Sequence, residues 1–515
     1  MTPISVIKVF VLYLSFVLIL SVGVFAANTN TDKQEQDFSE SVSELVKSWR
    51  GFNLEGKYTI EWSNDGYHEE DFRMISENGF NFIRLLVDYR TYTSPYDRLS
   101  FNEDDLQEFD NAVNWGQKYN LHISINLHRA PGYCIHDWEE PEKMTLWDNE
   151  QDQEDFIRHW QFFANRYRDI GWDRLSFNLI NEPFNVDEEK YIDLMQRTID
   201  AIRTVSPERI IIVDGVETAT KMIYDVDRDN VVISRHVYEP FLISHYKASW
   251  VGIDYWPEPE WPFYPISKFF YGPYKPVYQS ELKVKGSIPE GTEIEIGVNQ
   301  VSISAGFYIN ADGENVFYKS FLPGPGEGEW KEVVYNEQYN VYQNIYDTTY
   351  QVTLSEPCDE LSFGVETGDW TTVNGIKIIF PDGNDLIFSP TVEQWGIPMP
   401  VYEFLPGNKL NLSVLEDYRS YYDMDYIKEF REAAEQGYNV MIGEFGVYNK
   451  TPHDVTLNYL KWLLDSFKDA GIGWCMFEWD GTFGVLDSER TDVEYEQIDG
   501  RRLDRKMMNL LREYP

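Results

Sequence analysis

The segment Leu175-Ser-Phe-Asn-Leu-Ile-Asn-Glu-Pro183 is an apolar run that ends in a polar turn and carries Glu182 at its end. A second run of the same kind, Tyr438-Asn-Val-Met-Ile-Gly-Glu-Phe-Gly446, carries Glu444. The two glutamates are 444 − 182 = 262 positions apart in the chain. In a barrel of βα units, the carboxyl ends of all the strands open on one face, where functional sites are built. The pattern therefore predicts that the two carboxylates lie together on that face.

Strand-like runs alternate with helical patterns through most of the 515 residues. Eight apolar runs have strand character, at 51–54, 80–87, 121–128, 175–183, 209–215, 231–238, 438–446 and 471–479. Apolar residues at helical spacing are clearest in 104–119, 152–168 and 187–205. Eight βα units predict an α/β fold, the (β/α)8 TIM barrel. A doubly wound open sheet is the alternative, but it gives no reason for eight units.

The alternation is interrupted after the sixth strand-like run. Between about 264 and 406 the helical pattern gives way to short alternating runs, separated by turns such as Ala311-Asp-Gly313 and Pro381-Asp-Gly383. Regular short strands with Gly, Pro and Asp turns are typical of a β-sandwich. We therefore expect a barrel formed by residues 45–265 and 405–515, with an all-β sandwich, 266–404, inserted after barrel strand 6.

The N-terminus carries one lysine, Lys8, before an apolar run from Val9 to Ala27. Residues 1–27 have the pattern of a signal peptide, and 28–44 are a polar lead. The chain is therefore expected to be secreted, to the extracellular space or the periplasm. The apolar run is also close to the length of a membrane span, so an uncleaved membrane anchor is the alternative.

The charge of the chain limits its partners. The formal net charge is 44 − 87 = −43. Nucleic acids and anionic membrane surfaces are bound through Lys and Arg, so neither is an expected partner. A neutral polymer is not repelled by this charge.

Metal and cofactor chemistry has little support in the sequence. Cys134, Cys358 and Cys475 are too few for a disulfide framework and too poorly spaced for a zinc site. His122 and His128 could share a strand face, but six strand residues separate them by about 20 Å. The chain has no phosphate-binding glycine loop. The sequence therefore predicts neither a metal nor a cofactor.

The motifs around the two glutamates resemble those of glycoside hydrolase family 5, the large family of cellulases and mannanases, over 45–265 and 405–515. Asn181-Glu182-Pro183 is similar to the family's Asn-Glu-Pro, and the run that contains Glu444 is similar to its nucleophile strand. The other positions that match family site residues are Arg84, His128, Asn181, His236, Tyr238 and Trp479. The resemblance implies Glu182 as general acid/base and Glu444 as nucleophile, with the other six as substrate-binding residues.

The resemblance also implies a reaction. Two carboxyl groups about 5–5.5 Å apart can hydrolyse a glycosidic bond with retention, through a covalent glycosyl-enzyme. By this resemblance, Arg84 and Tyr238 of this chain would stabilise the charge of Glu444. Asn181 would bind the sugar 2-OH, and Trp479 would stack on the sugar. The expected activity is that of an endo-β-1,4-glucanase on plant-type polysaccharide. A β-mannanase or another β-glucanase is the nearest alternative, and a non-catalytic carbohydrate-binding protein is the alternative of another class.

The insert has two interpretations. By analogy with β-sandwiches attached to such enzymes, it could bind carbohydrate, with Trp330, Trp370 and Trp395 as stacking faces. A structural insert that shapes one end of a cleft is the other interpretation. Loop tryptophans that could line the cleft itself are Trp138, Trp147, Trp250, Trp256 and Trp261.

Overall fold

The computed structural model describes residues 38–136, 142–251, 258–261, 266–390, 395–396, 399, 401–405, 409–410 and 416–514, and the side chains among these outside 404–425. The predicted signal peptide, Trp138 and Trp256 lie outside the described residues. No helix in these ranges combines the length and the apolar character that a membrane crossing needs. The chain forms two compact units, 1–237 with 427–446 and 461–515, and 238–426 with 447–460.

The first unit contains a closed barrel of parallel strands. The strands of this unit in its first stretch are β1 (Arg50–Lys57), β2 (Phe82–Asp88), β3 (Thr93–Ser94), β4 (Asp97–Phe101), β5 (His122–Arg129), β6 (Leu175–Asn178), β7 (Ile210–Asp214) and β8 (Val231–Val237). The later strands of this unit are β21 (Asn439–Phe445), β22 (Gly473–Met476), β23 (Glu496–Ile498) and β24 (Arg501–Leu503). The barrel order is β1-β2-β5-β6-β7-β8-β21-β22, and β22 pairs back onto β1. The (β/α)8 barrel predicted from the eight runs is confirmed.

Helices connect the barrel strands in the alternation that the sequence predicts. They are α1 (38–47), α2 (Glu69–Glu77), α3 (Glu103–Lys118), α4 (Glu150–Arg166), α5 (Glu188–Arg203), α6 (Val216–Ala219), α7 (Phe241–Ser244), α8 (Glu416–Glu435), α9 (His453–Ala470) and α10 (Arg505–Arg512). The side chains of Asn102, Asn149 and Asp187 accept hydrogen bonds from backbone N–H groups in the first turns of α3, α4 and α5. These caps satisfy donors that a helix start leaves unpaired, at about 1 kcal/mol each.

Helix α1 begins inside the segment interpreted as a polar lead, 28–44. Its Val42 and Val46 are fully buried, in a cluster with Phe82, Ile210 and Met441 from the beginnings of barrel strands. Burial of such a side chain stabilises the fold by about 1.5–3 kcal/mol. The helix therefore covers the end of the barrel opposite to the carboxyl ends of the strands.

The second unit contains a β-sandwich of two six-stranded sheets. Its strands are β9 (Phe269–Tyr271), β10 (Leu282–Ile288), β11 (Glu293–Ser302), β12 (Ala305–Ala311), β13 (Glu314–Phe321), β14 (Tyr335–Asn336), β15 (Val341–Thr353), β16 (Cys358–Gly368), β17 (Trp370–Ile379), β18 (Asp385–Phe388), β19 (Val401–Leu405) and β20 (Lys409–Leu410). One sheet has the order β13-β12-β16-β10-β19-β20, and the other β14-β15-β11-β17-β18 with β9 on β17. Alternate residues such as Ile294, Ile296 and Val298 are buried in its core. The predicted sandwich after the sixth barrel strand, β8, is confirmed.

Candidate active site

The carboxylates of Glu182 and Glu444 lie close together at the carboxyl ends of their strands. One oxygen of each carboxylate and one ring nitrogen of His236 all lie within 4.8 Å of one another. His236 Nδ1 is 2.7 Å from Glu182 Oε1 and 3.6 Å from Glu444 Oε2. Glu444 is 4% exposed, whereas Glu182 remains partly accessible. The barrel thus brings together two carboxylates that are far apart in sequence.

The backbone at Glu182 is held in place by two side chains. Glu182 follows β6 with a left-handed φ of 47°, which is uncommon for a residue with a side chain. Its N–H donates to Asp214 Oδ2 at 3.0 Å, and its carbonyl accepts from the Tyr133 hydroxyl at 2.5 Å. The same hydroxyl accepts from the N–H of Phe184 at 2.9 Å. These bonds keep the turn after β6 in one conformation and so orient the carboxyl group.

Arg84 connects Glu444 to the amides of the site. From β2, its guanidinium donates to Glu444 Oε1 at 2.5 Å, Asn53 Oδ1 at 2.9 Å and Asn178 Oδ1 at 2.7 Å. Burial lowers the pKa of Arg84, but the carboxylates of Glu444 and Asp214 raise it above the ordinary value. Arg84 is therefore a fixed cation beside the expected nucleophile, where it stabilises the ionised carboxylate.

Asn181 presents an amide that the protein does not satisfy. Its Oδ1 accepts from Arg84 Nη2 at 2.8 Å, which fixes the orientation of the amide. Its Nδ2 is buried and has no partner among the described residues. A buried donor without a partner costs free energy, so a ligand oxygen at this position would be favoured. The placement agrees with the 2-OH contact that the resemblance implies.

His236 is an imidazole ring surrounded by carboxylates. Burial alone would lower the pKa of its ring, which is 1% exposed. The carboxylates of Glu444, Asp214 and Glu182 outweigh that effect and raise the pKa above its ordinary value. The 2.7 Å bond holds the Glu182 carboxyl in position next to Glu444.

Asp214 is a central residue of the site that sequence reasoning missed. It is fully buried at the end of β7, and its Oδ1 accepts from Asn178 Nδ2 at 3.0 Å. Its Oδ2 accepts from the Glu182 N–H and lies 3.4 Å from His236 Nε2 and 3.8 Å from Arg84 Nη2. The available signal was an aspartate that ends the apolar run Ile210-Ile-Ile-Val-Asp214.

His128 lies at the end of β5 as a neutral ring. It is 3% exposed, and its Nδ1 is 3.1 Å from Asn126 Oδ1. Its ring stacks on His136 at 5.5 Å and meets the edge of Tyr58 at 4.9 Å. Burial and the charges of His136 and Arg84 lower its pKa well below the ordinary value. A neutral imidazole can exchange hydrogen bonds with a sugar hydroxyl.

The structure places the predicted stacking residue Trp479 inside the core. It is fully buried, its Nε1 donates to Asp71 Oδ1 at 2.9 Å, and its ring packs against Phe52 at 4.9 Å. It therefore has no exposed face for a sugar. Phe477, directly after β22, is partly exposed and is the aromatic side chain that this strand end presents.

Packing contacts describe two further predicted residues. Tyr238 follows β8 directly, in the second unit, and its ring packs against His245 at 5.2 Å. Trp147 lies in the loop before α4, is 7% exposed and packs against Tyr133 and Tyr191, so it is a packing residue.

A pair of carboxyl groups beside the nucleophile also escaped sequence reasoning. Glu55, at the end of β1, and Glu478, just after β22, are joined by a hydrogen bond between their side chains. Burial raises the pKa of Glu55 to about 7, with further repulsion from Asp480 and Glu444. Burial and Glu55 raise the pKa of Glu478 as well. The pair therefore shares a proton at neutral pH.

Among the described residues, one group of three could hold a metal ion, and it is the same trio of Glu182, His236 and Glu444. In this structure their atoms are already bonded to each other and to Arg84. Two carboxylates, one held by Arg84 and the other by His236, are suited to acid/base and nucleophilic work on one bond.

Together, the barrel and this carboxylate pair have the features of a glycoside hydrolase of the two-glutamate type. Residues 31–261 match the family model of cellulase (glycosyl hydrolase family 5). The first part of the chain is therefore similar to glycosyl hydrolase family 5.

Curated relatives show the same similarity. Endoglucanase C of Acetivibrio thermocellus is 32% identical over 186 residues, which are 35% of this chain and 53% of the relative. Cellodextrinase A of Ruminococcus flavefaciens is 30% identical over 214 residues, 39% of this chain and 61% of the relative. The chain thus spans roughly half to three fifths of the length of these relatives.

Solved structures share the fold over most of the chain. The crystal structure of a glycoside hydrolase matches with a TM-score of 0.56 and 22% identity, over 91% of this chain and 99% of the other. Endoglucanase Cel5A of Thermotoga maritima matches with a TM-score of 0.51 and 16% identity, over 91% of this chain and 99% of the other.

Proposed function

We propose that this protein is a retaining β-glycoside hydrolase that acts as an endo-β-1,4-glucanase. The observation that carries the proposal is the proximity of the Glu182 and Glu444 oxygens, within 4.8 Å of each other. Retaining enzymes keep their two carboxyl groups about 5–5.5 Å apart, whereas inverting enzymes need about 6.5–9.5 Å to admit a water molecule. The names of the curated relatives, an endoglucanase and a cellodextrinase, support a β-1,4-glucan as the substrate.

Glu182 and Glu444 have separate roles in the proposed reaction. Glu182 donates its proton to the leaving oxygen while the Glu444 carboxylate attacks the anomeric carbon, and a covalent glycosyl-enzyme forms. Arg84 holds Glu444 in line and ionised until it attacks. Glu182 then removes a proton from a water molecule, which attacks the anomeric carbon and displaces the Glu444 carboxylate, so the sugar leaves with its original anomeric configuration. The Asn181 amide donates to the 2-OH of the sugar, a contact that strengthens as charge develops on the ring.

The direct test is reducing-sugar release from carboxymethylcellulose, mixed-linkage glucan, xyloglucan and mannan, side by side. We expect release from the glucans, lost in Glu444→Ala and retained in a control variant of an exposed helix residue, Glu189→Ala. Release chiefly from mannan would replace the substrate but keep the mechanism. The absence of release from all four polymers would contradict the proposal.

A second test assigns the two glutamates separately. With azide and an activated aryl β-glycoside, Glu444→Ala should form the α-glycosyl azide, because azide replaces the missing nucleophile. Glu182→Ala should form the β-glycosyl azide, because azide attacks the intact glycosyl-enzyme. Nuclear magnetic resonance of the products distinguishes the two anomers. The opposite pattern would reverse the two roles.

We also propose that the protein is secreted. The segment 1–27 supports this proposal, because a charged start and an apolar run are typical of a secretory signal. N-terminal sequencing of protein recovered from the culture medium should begin near residue 27. Recovery of the full-length chain in the membrane fraction would favour the anchor instead.

A further inference from the structure

The inserted sandwich carries a cavity of about 540 Å³ on the sheet that contains β11, β15, β17 and β9. Small-molecule sites typically measure about 300–1,000 Å³ and combine apolar walls with a few placed polar groups. Its lining includes Trp395, Trp370, Asp369, Asn299, Gln300 and Gln343. All of these residues belong to the second unit, so the cavity is formed without the barrel.

Trp395 is an exposed indole that its neighbours hold rigidly. The residue is 44% exposed, although the rings of Phe269, Tyr271 and Trp370 make T-shaped contacts with it at 5.1, 4.9 and 5.8 Å. The N–H of the next residue, Gly396, donates to the Tyr271 hydroxyl at 2.7 Å. A large apolar ring that is fixed but left exposed is typical of a recognition surface. Lys275 Nζ lies over the ring at 5.7 Å from its centroid, and the exposed part of the ring is suited to the C–H surface of a pyranose ring.

Asp369 supplies an acceptor that the protein leaves unused. It is 5% exposed, and its Oδ2 accepts from the Ser302 hydroxyl at 2.7 Å. Its Oδ1 is buried and has no hydrogen-bond partner among the described residues. Leaving a buried carboxylate oxygen unpaired costs free energy, whereas a ligand hydroxyl could satisfy it.

The amides of the lining are held by bonds within the sheet. Gln300 Nε2 donates to the carbonyl of Gln343 at 3.0 Å, and Gln343 Oε1 accepts from Asn336 at 3.1 Å. Asn299 Nδ2 donates to Asp347 at 2.6 Å. These side chains are partly exposed and preorganised, so they can bind hydroxyl groups at a small entropic cost.

We propose that this cavity binds a pyranose segment of a neutral polysaccharide, with one ring stacked on Trp395 and a hydroxyl donating to Asp369. Lys268 and Lys275 line the cavity, but the chain as a whole carries a formal charge of −43, which favours a neutral ligand over a polyanion. The site lies outside the hydrolytic centre, and its binding does not depend on the proposed hydrolysis. It would keep the chain on its polymer between cleavage events.

Affinity electrophoresis of the full chain tests this proposal. The protein carries Glu182→Gln so that it does not digest the gel, and the probes are hydroxyethylcellulose, xyloglucan, glucomannan and polygalacturonate. We expect retardation by at least one neutral polymer and none by polygalacturonate. Trp395→Ala should weaken that binding about tenfold or more. Tyr318→Ala, which removes an exposed aromatic ring from the other sheet of the sandwich, should leave binding unchanged.

Three results would overturn the proposal: no retardation by any neutral polymer, equal retardation of the Trp395→Ala variant, or retardation by polygalacturonate alone. Asp369→Asn serves as a second variant that keeps the tryptophan, and it should also weaken binding. Without Glu182→Gln, Trp395→Ala should hydrolyse short soluble oligosaccharides at the wild-type rate. Failure of hydrolysis in the otherwise wild-type chain would therefore refute the proposed enzyme activity and leave this binding site standing.

Discussion

Replacing Glu55 by glutamine should make the protein more stable at alkaline pH, and this follows from the carboxyl pair beside the nucleophile. The pKa of Glu55 rises from 4.5 to about 7 on folding, chiefly because of burial. The folded protein therefore binds this proton more tightly than the unfolded chain does. The stability that the protonated group contributes is fully present below about pH 4.5 and is lost as pH rises through about 7.

The size of the effect follows from the same values. A difference of 7 − 4.5 = 2.5 in pKa corresponds to about 3 kcal/mol, since one pKa unit corresponds to about 1.4 kcal/mol. Between pH 5 and pH 8, about 2–3 kcal/mol of this stability is lost in the wild type. Glutamine resembles a carboxyl group that never loses its proton. Glu55→Gln should therefore unfold much like the wild type at pH 5 and be about 2–3 kcal/mol more stable at pH 8.

Urea unfolding at constant ionic strength, followed by fluorescence at pH 5 and pH 8, measures this difference. Glu478→Gln should act in the same direction because it belongs to the same pair, which is hydrogen-bonded. Glu189→Gln, at an exposed position of α5, should show no pH-dependent difference from the wild type. If the free-energy difference between Glu55→Gln and the wild type were the same at both pH values, the shared proton would be refuted.

Three further predictions concern the site itself. Asp214→Asn should lower kcat about 10²-fold with a small change in KM, because Asp214 positions the Glu182 backbone; a large rise in KM at unchanged kcat would contradict this role. Phe477→Ala should raise KM for oligosaccharides. Trp479→Phe should lower the unfolding temperature, because the hydrogen bond to Asp71 is lost, and should leave KM unchanged. The reverse pattern would restore Trp479 as the stacking residue. The pKa of His236 is raised, so its cation stabilises the fold below pH 6.5 and that stability is lost as pH rises through the folded-state pKa. His236→Gln should remove this loss of stability at alkaline pH. If variant and wild type lost the same free energy of unfolding between pH 6 and pH 9, the raised pKa of His236 would be contradicted.

The barrel was predictable because its signal is periodic and local. Each strand is an apolar run of strand length, and the amphipathic helices between them have the 3.6-residue period, so the eight barrel strands β1, β2, β5, β6, β7, β8, β21 and β22 follow from neighbouring residues alone. The same holds for the sandwich, where strands such as β11 alternate buried and exposed positions. Turn residues mark the boundaries of both.

The parts of the site that escaped prediction depend on contacts across the barrel. The Glu55–Glu478 pair forms only because β1 and β22 are neighbours in the closed sheet. β22 ends at Met476, so the alternation of a strand no longer decides which of the following aromatic side chains is buried. Tertiary packing against Phe52 and Asp71 places Trp479 inside and leaves Phe477 accessible. The buried position of Asp214 likewise becomes visible only when strands from different parts of the chain are assembled.

The insertion after β8 also has a consequence for synthesis. β8 ends at Val237 and its partner β21 begins at Asn439, so 439 − 237 = 202 positions separate two adjacent barrel strands. At about 5–20 residues per second, the ribosome needs roughly 10–40 s to deliver the missing strand. Throughout that interval β8 is an unpaired sheet edge, the kind of surface that recruits strands from other chains. A sandwich that folds while the ribosome is still working would ease the pairing of β8 with β21 once β21 is made, because it would replace a long flexible loop with a compact body.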